Sequence, residues 1–353
     1  MSSSSSPSPR LLAVGTATPP DRYTQDDVLQ WSGETNPKIQ RLFRNSHIQS
    51  RYLYLPDKVE GRVPDESPQA LIDRHRSGAL EIGPQAINRA LQREGLAVRE
   101  IGFLVCTTST GFLCPSLTAH LIQHMGFADS IQRIDLVGMG CNAAVNALQA
   151  ATAIARSRPG VPGLLVCIEV CSAAYVINQS MSTAVVNSLF GDGAAAVVIR
   201  HDAADDWRNG PGVLDFEPFI LTDAIQAMRY DLEGPKLSFF LDRDIPFVIG
   251  RHAHVPVDRL LVRHGLARTD NRHWLVHSGG KKVIDAIVRD LGLDEHAVRH
   301  TRSVLEQYGN VSSGSVLFSF EALRAEEVAR EGDLGVLMAM GPGTSIETAL
   351  LRW

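Results

Sequence analysis

The chain has 353 residues, 44% hydrophobic and 21% charged, with a formal net charge of −5. These values exclude a mostly disordered chain and give no general nucleic-acid signal. No uninterrupted apolar span reaches transmembrane length, so a soluble, cytoplasmic protein without a membrane or nucleic-acid partner is expected. Residues 1–10 read as a disordered tail, because the run from Met1 to Pro9 is almost wholly serine and proline. The tail has no apolar core of a secretory signal. Strands are predicted over 11–15, 101–106, 134–137, 164–168 and 194–199, with helices over 67–94, 116–125 and 142–156. The strand at 134–137 is expected to be buried. Beyond a polar segment, 202–212, the style repeats. Strands fall at 213–221, 274–277 and 335–340, and helices at 254–264, 281–291 and 314–323. This alternation predicts an α/β protein with a mostly parallel sheet. It divides into a half from 11 to 205 and a half from 206 to 353. The strand and helix around Cys141 are echoed by those around His277, without a residue-by-residue repeat.

Five cysteines (Cys106, Cys114, Cys141, Cys167 and Cys171) form neither a disulfide scaffold nor a metal-ligand pattern. Cys167 and Cys171 lie four apart, but no second His or Cys pair completes a site. They read as small buried hydrophobes.

Cys141 differs. It follows Val137-Gly-Met-Gly140 and opens an alanine-rich helix. Glycines permit close ligand approach, and a helix N-terminus favours a thiolate. His277 ends an apolar strand before Ser278-Gly279-Gly280, and Asn310 lies in Tyr308-Gly-Asn-Val-Ser-Ser-Gly314. Read singly, the three could be a buried cysteine, a structural histidine and a turn or cap asparagine. Together they suit thioester chemistry. The cysteine would hold an acyl chain. The imidazole and amide N–H groups would stabilise the enolate left when a malonyl thioester loses carbon dioxide. The same residue order occurs in papain-like proteases, but the Cys-Gly-Ser-Cys-Trp type of flank is missing.

Four ordered motifs carry a resemblance. They are Gly140-Cys141, Leu189-Phe-Gly-Asp-Gly-Ala-Ala195, Tyr308-Gly-Asn-Val-Ser-Ser313 and Met340-Gly-Pro-Gly343. The chain resembles the type III polyketide synthases, the chalcone-synthase-like branch of the thiolase superfamily, from about residue 11 to its end. The resemblance implies a thiolase-like duplicated αβαβα fold and a homodimer without metal, cofactor or prosthetic group. It assigns Cys141 as nucleophile, with His277 and Asn310 as the decarboxylation and oxyanion pair. Phe190 and Phe239 match gate aromatics. Cys171, Ala174 and Tyr175 match cavity-lining positions, with Pro342 of the last motif grouped among them. Cys114 matches a loop that reaches the partner's cavity. Lys38 and Arg41 match cations that meet coenzyme A phosphates. Asn45 replaces a frequent lysine, leaving Arg44 as its neighbour.

A narrower set of motifs is similar to the bacterial 3,5-dihydroxyphenylacetyl-CoA synthases. It includes Ile134 to Ala143, Thr222 to Tyr230 and His277-Ser-Gly-Gly-Lys-Lys-Val-Ile-Asp285. That likeness implies malonyl-CoA as sole substrate, antibiotic-pathway chemistry and enoyl-CoA-hydratase-like helper enzymes. The alternatives are synthases of tetrahydroxynaphthalene, resorcinol or dihydroxybenzoate products. A non-catalytic partner subunit would be expected to lack the trio. An acyl-carrier-protein condensing enzyme would carry His-Gln-Ala-Asn where this chain has His-Ser-Gly-Gly.

Overall fold

The computed structural model describes residues 7–202, 206–233 and 236–353. The first half comprises β1 (Arg10–Ala17), β2 (Arg22–Thr24), α1 (Gln25–Ser32), α2 (Pro37–Arg44), β3 (Ser50–Tyr52) and α3 (Pro68–Glu94). It continues with β4 (Phe103–Thr108), α4 (Leu117–Met125), β5 (Gln132–Val137), α5 (Ala143–Ser157), β6 (Gly163–Glu169), α6 (Met181–Leu189) and β7 (Gly193–Arg200). The second half begins with β8 (Gly212–Ile220), β9 (Met228–Glu233), β10 (Lys236–Leu241), α7 (Ile245–His252), α8 (His254–Arg263) and β11 (Asn271–Val276). It ends with α9 (Lys281–Leu291), α10 (Arg299–Tyr308), α11 (Ser315–Glu326), β12 (Leu334–Gly341) and β13 (Ser345–Arg352).

Local chemistry sets the boundaries. For α3, Ser67 accepts the Ala70 N–H, Pro68 takes the first turn, and Gly95 closes the helix at φ +66°. The helix lies hard against β1, since a Cβ on Gly15 would sit 2.5 Å from the Ala86 carbonyl.

Nine strands connect in the order β11-β12-β13-β8-β1-β7-β6-β4-β5. The link between β1 and β8 is a single pair, Arg10 with Gly212. Either side of it the topology repeats, with β1-β7-β6-β4 matched by β8-β13-β12-β11. Alternation along the strands sorts the core into layers. Leu165, Cys167, Val197, Leu337 and Ala339 meet α5 and α11 between the two half-sheets. Leu164, Val166 and Val198 face α3 and α4, while Val276, Val336 and Met338 pack in the core that includes α7, α8 and α9. This is the layered αβαβα fold.

Four expectations change. The sheet is not mostly parallel: only β4–β5, β4–β6 and β11–β12 run parallel. β13 returns directly from β12 as a hairpin, and β1, β7 and β8 also pair antiparallel. The strand at 134–137 is not buried, because β5 is an edge strand whose residues are half-buried or exposed. The internal echo also shifts. β11 with α9 mirrors β4 with α4, so the counterpart of the Cys141 turn and α5 is the Ser312–Gly314 turn and α11. Finally, the end of the segment expected as a tail, 1–10, is ordered into the fold. Residues 1–6 lie outside the described residues, but Ser8, Pro9 and Arg10 are buried, and the Pro9 carbonyl accepts the Val213 N–H at 2.8 Å.

Candidate active site

Cys141 lies in a tight turn, Gly140–Asn142, between β5 and α5. Gly140 has φ +72°, and a Cβ there would fall 2.2 Å from the Pro342 ring. Pro342 therefore acts as a lid on the cysteine turn, which requires glycine at 140. The Cys141 side chain is buried, and the Ser312 hydroxyl approaches its sulfur at 3.5 Å. Burial pushes the thiol up to about 12, with the Ser312 hydrogen bond the largest opposing influence. Burial thus acts against the thiolate that the start of α5 favours, and the Ser312 hydroxyl acts with the helix.

Asn310 sits beside that sulfur through Ser312. Its Oδ1 accepts the Ser312 N–H at 2.9 Å and the Ser315 hydroxyl at 3.4 Å. The side chain therefore closes a turn, as one reading of the sequence had it, and that contact fixes its direction. With Oδ1 committed to the start of α11, the Nδ2 hydrogens are left for another acceptor. The backbone of Asn310 is pinned as well. Its N–H donates to Leu189 at 2.8 Å, and its carbonyl accepts the Gly191 N–H at 3.0 Å.

His277 follows β11 directly and donates its backbone N–H to Met338 in β12 at 2.8 Å. The adjoining Ser278 hydroxyl reaches the Gly309 carbonyl at 3.4 Å, tying this loop to the Asn310 loop. The imidazole is buried, among the described residues its Nδ1 has no partner, and burial lowers it to about 3. It is a neutral ring at physiological pH, able to donate one hydrogen bond without supplying a proton to carbon. A Cβ on Gly279 would lie 3.2 Å from the ring, so the glycine pair keeps space beside it.

Phe190 and Phe239 meet edge to face, with centroids 5.5 Å apart and planes at 89°. Phe190 pairs with Asn310 as an isolated parallel bridge, which joins the main chains of these two residues. Tyr175 and Cys171 are buried and Ala174 is half-buried, in the turn after β6. Behind them lies a residue without a sequence signal. Arg51 is wholly buried, donating to the Tyr175 hydroxyl at 2.9 Å, the Phe190 carbonyl at 2.7 Å and Gln25 Oε1 at 2.8 Å. A buried carboxyl, Glu169 at the end of β6, accepts the Ser109 N–H at 2.9 Å and the Thr110 hydroxyl at 3.0 Å. It also accepts the Ser313 hydroxyl, binding the end of β6 to the turn that precedes α11.

Family models describing the N-terminal and C-terminal domains of chalcone and stilbene synthases match residues 2–203 and 218–353. The chain belongs to the chalcone and stilbene synthase family. It is a type III polyketide synthase and so an acyltransferase. It is 49% identical over 347 residues to the 3,5-dihydroxyphenylacetyl-CoA synthase of Amycolatopsis orientalis, covering 98% of this chain and 93% of that one. It is 31% identical over 355 residues to the 1,3,6,8-tetrahydroxynaphthalene synthase of Streptomyces peucetius subsp. caesius, covering 97% and 93%. The crystal structure of PKS-I from the brown alga Ectocarpus siliculosus superposes with a TM-score of 0.91 over 99% of both chains, at 26% identity.

The remaining residues singled out in the synthase sequence stand apart from the trio. Cys114 is exposed on the loop before α4. Lys38, Arg41 and Arg44 are exposed on α2, whose buried Ile39 and Phe43 belong to the same core as Phe190. Lys38 and Arg41 share a helix face, whereas Arg44 turns aside to Asp26 at 3.0 Å. A phosphate contact therefore suits Lys38 and Arg41 better than Arg44. Changing Lys38 to glutamate is expected to raise the KM for acyl-CoA substrates several-fold with kcat nearly unchanged, measured by steady-state kinetics at two salt concentrations. An unchanged KM would leave Lys38 as a solvated surface cation.

Sequence reasoning missed Arg51, Glu169 and the role of Ser312. An acidic residue closing an apolar strand was a usable signal for Glu169. Ser312 lay inside a motif already quoted, two residues after Asn310. Arg51 stands in a polar stretch with no pattern to mark it.

Proposed function

We propose that the synthase condenses malonyl-CoA units on Cys141 and converts the chain to 3,5-dihydroxyphenylacetyl-CoA. Four malonyl units lose four carbon dioxide molecules and leave an eight-carbon chain, which an aldol closure and loss of water make aromatic. At each extension, the Nδ2 group of Asn310 and the neutral imidazole of His277 hold the thioester oxygen as it becomes an enolate oxygen. The enolate carbon then attacks the acyl group on Cys141. Carbon dioxide loss generates the carbanion, so no general base is required at the α-carbon.

The observation that carries the product is the 49% identity, over nearly the whole chain, to a 3,5-dihydroxyphenylacetyl-CoA synthase. The tetrahydroxynaphthalene alternative rests on a relative at 31%. The reading includes a cytoplasmic homodimer that needs no metal or cofactor and works with hydratase-like helpers. Exposed Phe112, Val137 and Met139, on and beside the β5 edge, support a second copy as partner. Among the described residues no helix is long and apolar enough to cross a membrane.

Mass spectrometry of products from the purified protein given malonyl-CoA alone tests the reading. An eight-carbon dihydroxyphenylacetyl product, free or on coenzyme A, is expected. A different polyketide from the same substrate would retain the condensation chemistry and overturn the product.

A further inference from the structure

Ser312 holds a backbone conformation that serine avoids. Its φ is +45°, in the left-handed region, and the side chain is buried. A glycine would adopt this turn without strain, so the turn alone does not account for a serine. The hydroxyl does account for it. It donates to Cys141 Sγ at 3.5 Å, while the backbone N–H of the same residue is held by Asn310 Oδ1 at 2.9 Å. Ser312 also opens the turn before α11, as Gly140–Asn142 forms the turn before α5. The duplicated halves thus bring two helix-starting turns face to face, one offering a thiol and the other a hydroxyl.

We propose that Ser312 is a catalytic residue whose hydroxyl hydrogen-bonds the Cys141 sulfur whenever that sulfur carries negative charge. The inference rests on Cys141 being the nucleophile. In loading, a bond forms from Sγ to the acyl carbon and the bond from that carbon to the coenzyme A sulfur breaks. Coenzyme A leaves as a thiolate and takes up the proton that Cys141 gave. In condensation, the enolate carbon bonds to the acyl carbon and the electron pair of the C–Sγ bond returns to Sγ. Charge develops on Sγ in both steps, and the hydroxyl meets it without moving. Burial and Glu169 of β6, when ionised, disfavour that charge, while the backbone N–H of Cys141 joins the Ser312 hydroxyl in favouring it. Cys171 in the turn after β6 and Tyr230 of β9 are pushed up by burial and stay neutral beside it, as does His277 on the neighbouring loop.

Alkylation of Cys141 by iodoacetamide between about pH 6 and 10, located by peptide mass spectrometry, tests the assignment in Ser312→Gly. Glycine keeps the N–H used by Asn310 and relieves the strained φ, so the melting temperature is expected not to fall. Losing a donor to the anion raises the thiol pKa, so the alkylation profile should move up by about one pH. The rate at pH 8 should then drop about tenfold. Ser312→Ala should show the same displacement at lower thermal stability. An undisplaced profile in either folded variant overturns the proposal. Wild-type protein labelled at Cys141 should make no polyketide. If the labelled protein still condenses malonyl-CoA, the nucleophile assignment falls and Ser312 loses its role with it.

Discussion

Replacing Cys141 with alanine should lower polyketide formation at least about 10³-fold while leaving measurable decarboxylation of malonyl-CoA. The two activities separate because they use different atoms. In the proposed mechanism, chain growth needs Sγ to carry the acyl group, whereas carbon dioxide loss needs only a thioester held against the donors of His277 and Asn310. In the structure those donors owe nothing to the cysteine side chain. Asn310 is held by Leu189, Gly191, Ser312 and Ser315, and His277 by Met338 of β12. The variant should therefore fold with its donors in place. Acetyl-CoA and triketide or longer products, quantified from one malonyl-CoA incubation, check both halves. Full condensation by the variant would remove Cys141 from the mechanism.

Changing His277 or Asn310 to alanine should cut decarboxylation about 10²-fold or more, the usual loss on removing one oxyanion donor. A pH series adds a sharper expectation. Burial lowers His277 to about 3, so the ring is neutral and its N–H available throughout the working range. Decarboxylation by the Cys141→Ala variant should accordingly be flat from roughly pH 5 to 8, where an exposed histidine would titrate. A step near pH 6.5 would show that the imidazole is charged in part of that range and contradict a neutral donor. The stability effect has a definite sign. The folded pKa lies below the unfolded one, so His277 carries no penalty above about pH 6.5. The penalty grows as pH falls from there towards the folded value.

Much of the site was legible because its chemistry is spelled in short contiguous runs. Cysteine after Gly140, histidine before two glycines and asparagine after Gly309 each mark a place where backbone turns sharply beside a reacting group. Helix limits were legible where caps were local, as at Ser67, Pro68 and Gly95. Strand direction was not, because it depends on partners far away in the chain. Nothing near residue 194 says that β7 will run against β1. Burial at 134–137 failed for a similar reason: the apolar run is real, but β5 falls at the edge of the sheet. The thiol of Cys141 shows the limit of reading charge from neighbours in sequence. A helix start is visible in the residues, whereas burial in one core with Phe190 and Phe239 is a property of the folded whole.

The buried guanidinium of Arg51 has a mechanical consequence. It grips the Phe190 carbonyl and the Tyr175 hydroxyl from outside the reaction space, and the same strand segment is stitched to Asn310 on its other side. The main chain at Phe190 is thus fixed on both sides, and in the gate role proposed for this residue only the ring is left to move. Any movement of the ring is about its own side-chain bonds, while the main chain beneath it stays latched. On that proposal, a growing polyketide is admitted or held back without disturbing the Asn310 amide. On the same proposal, substitutions at Cys171 and Ala174 would reshape the room and leave the latch in place.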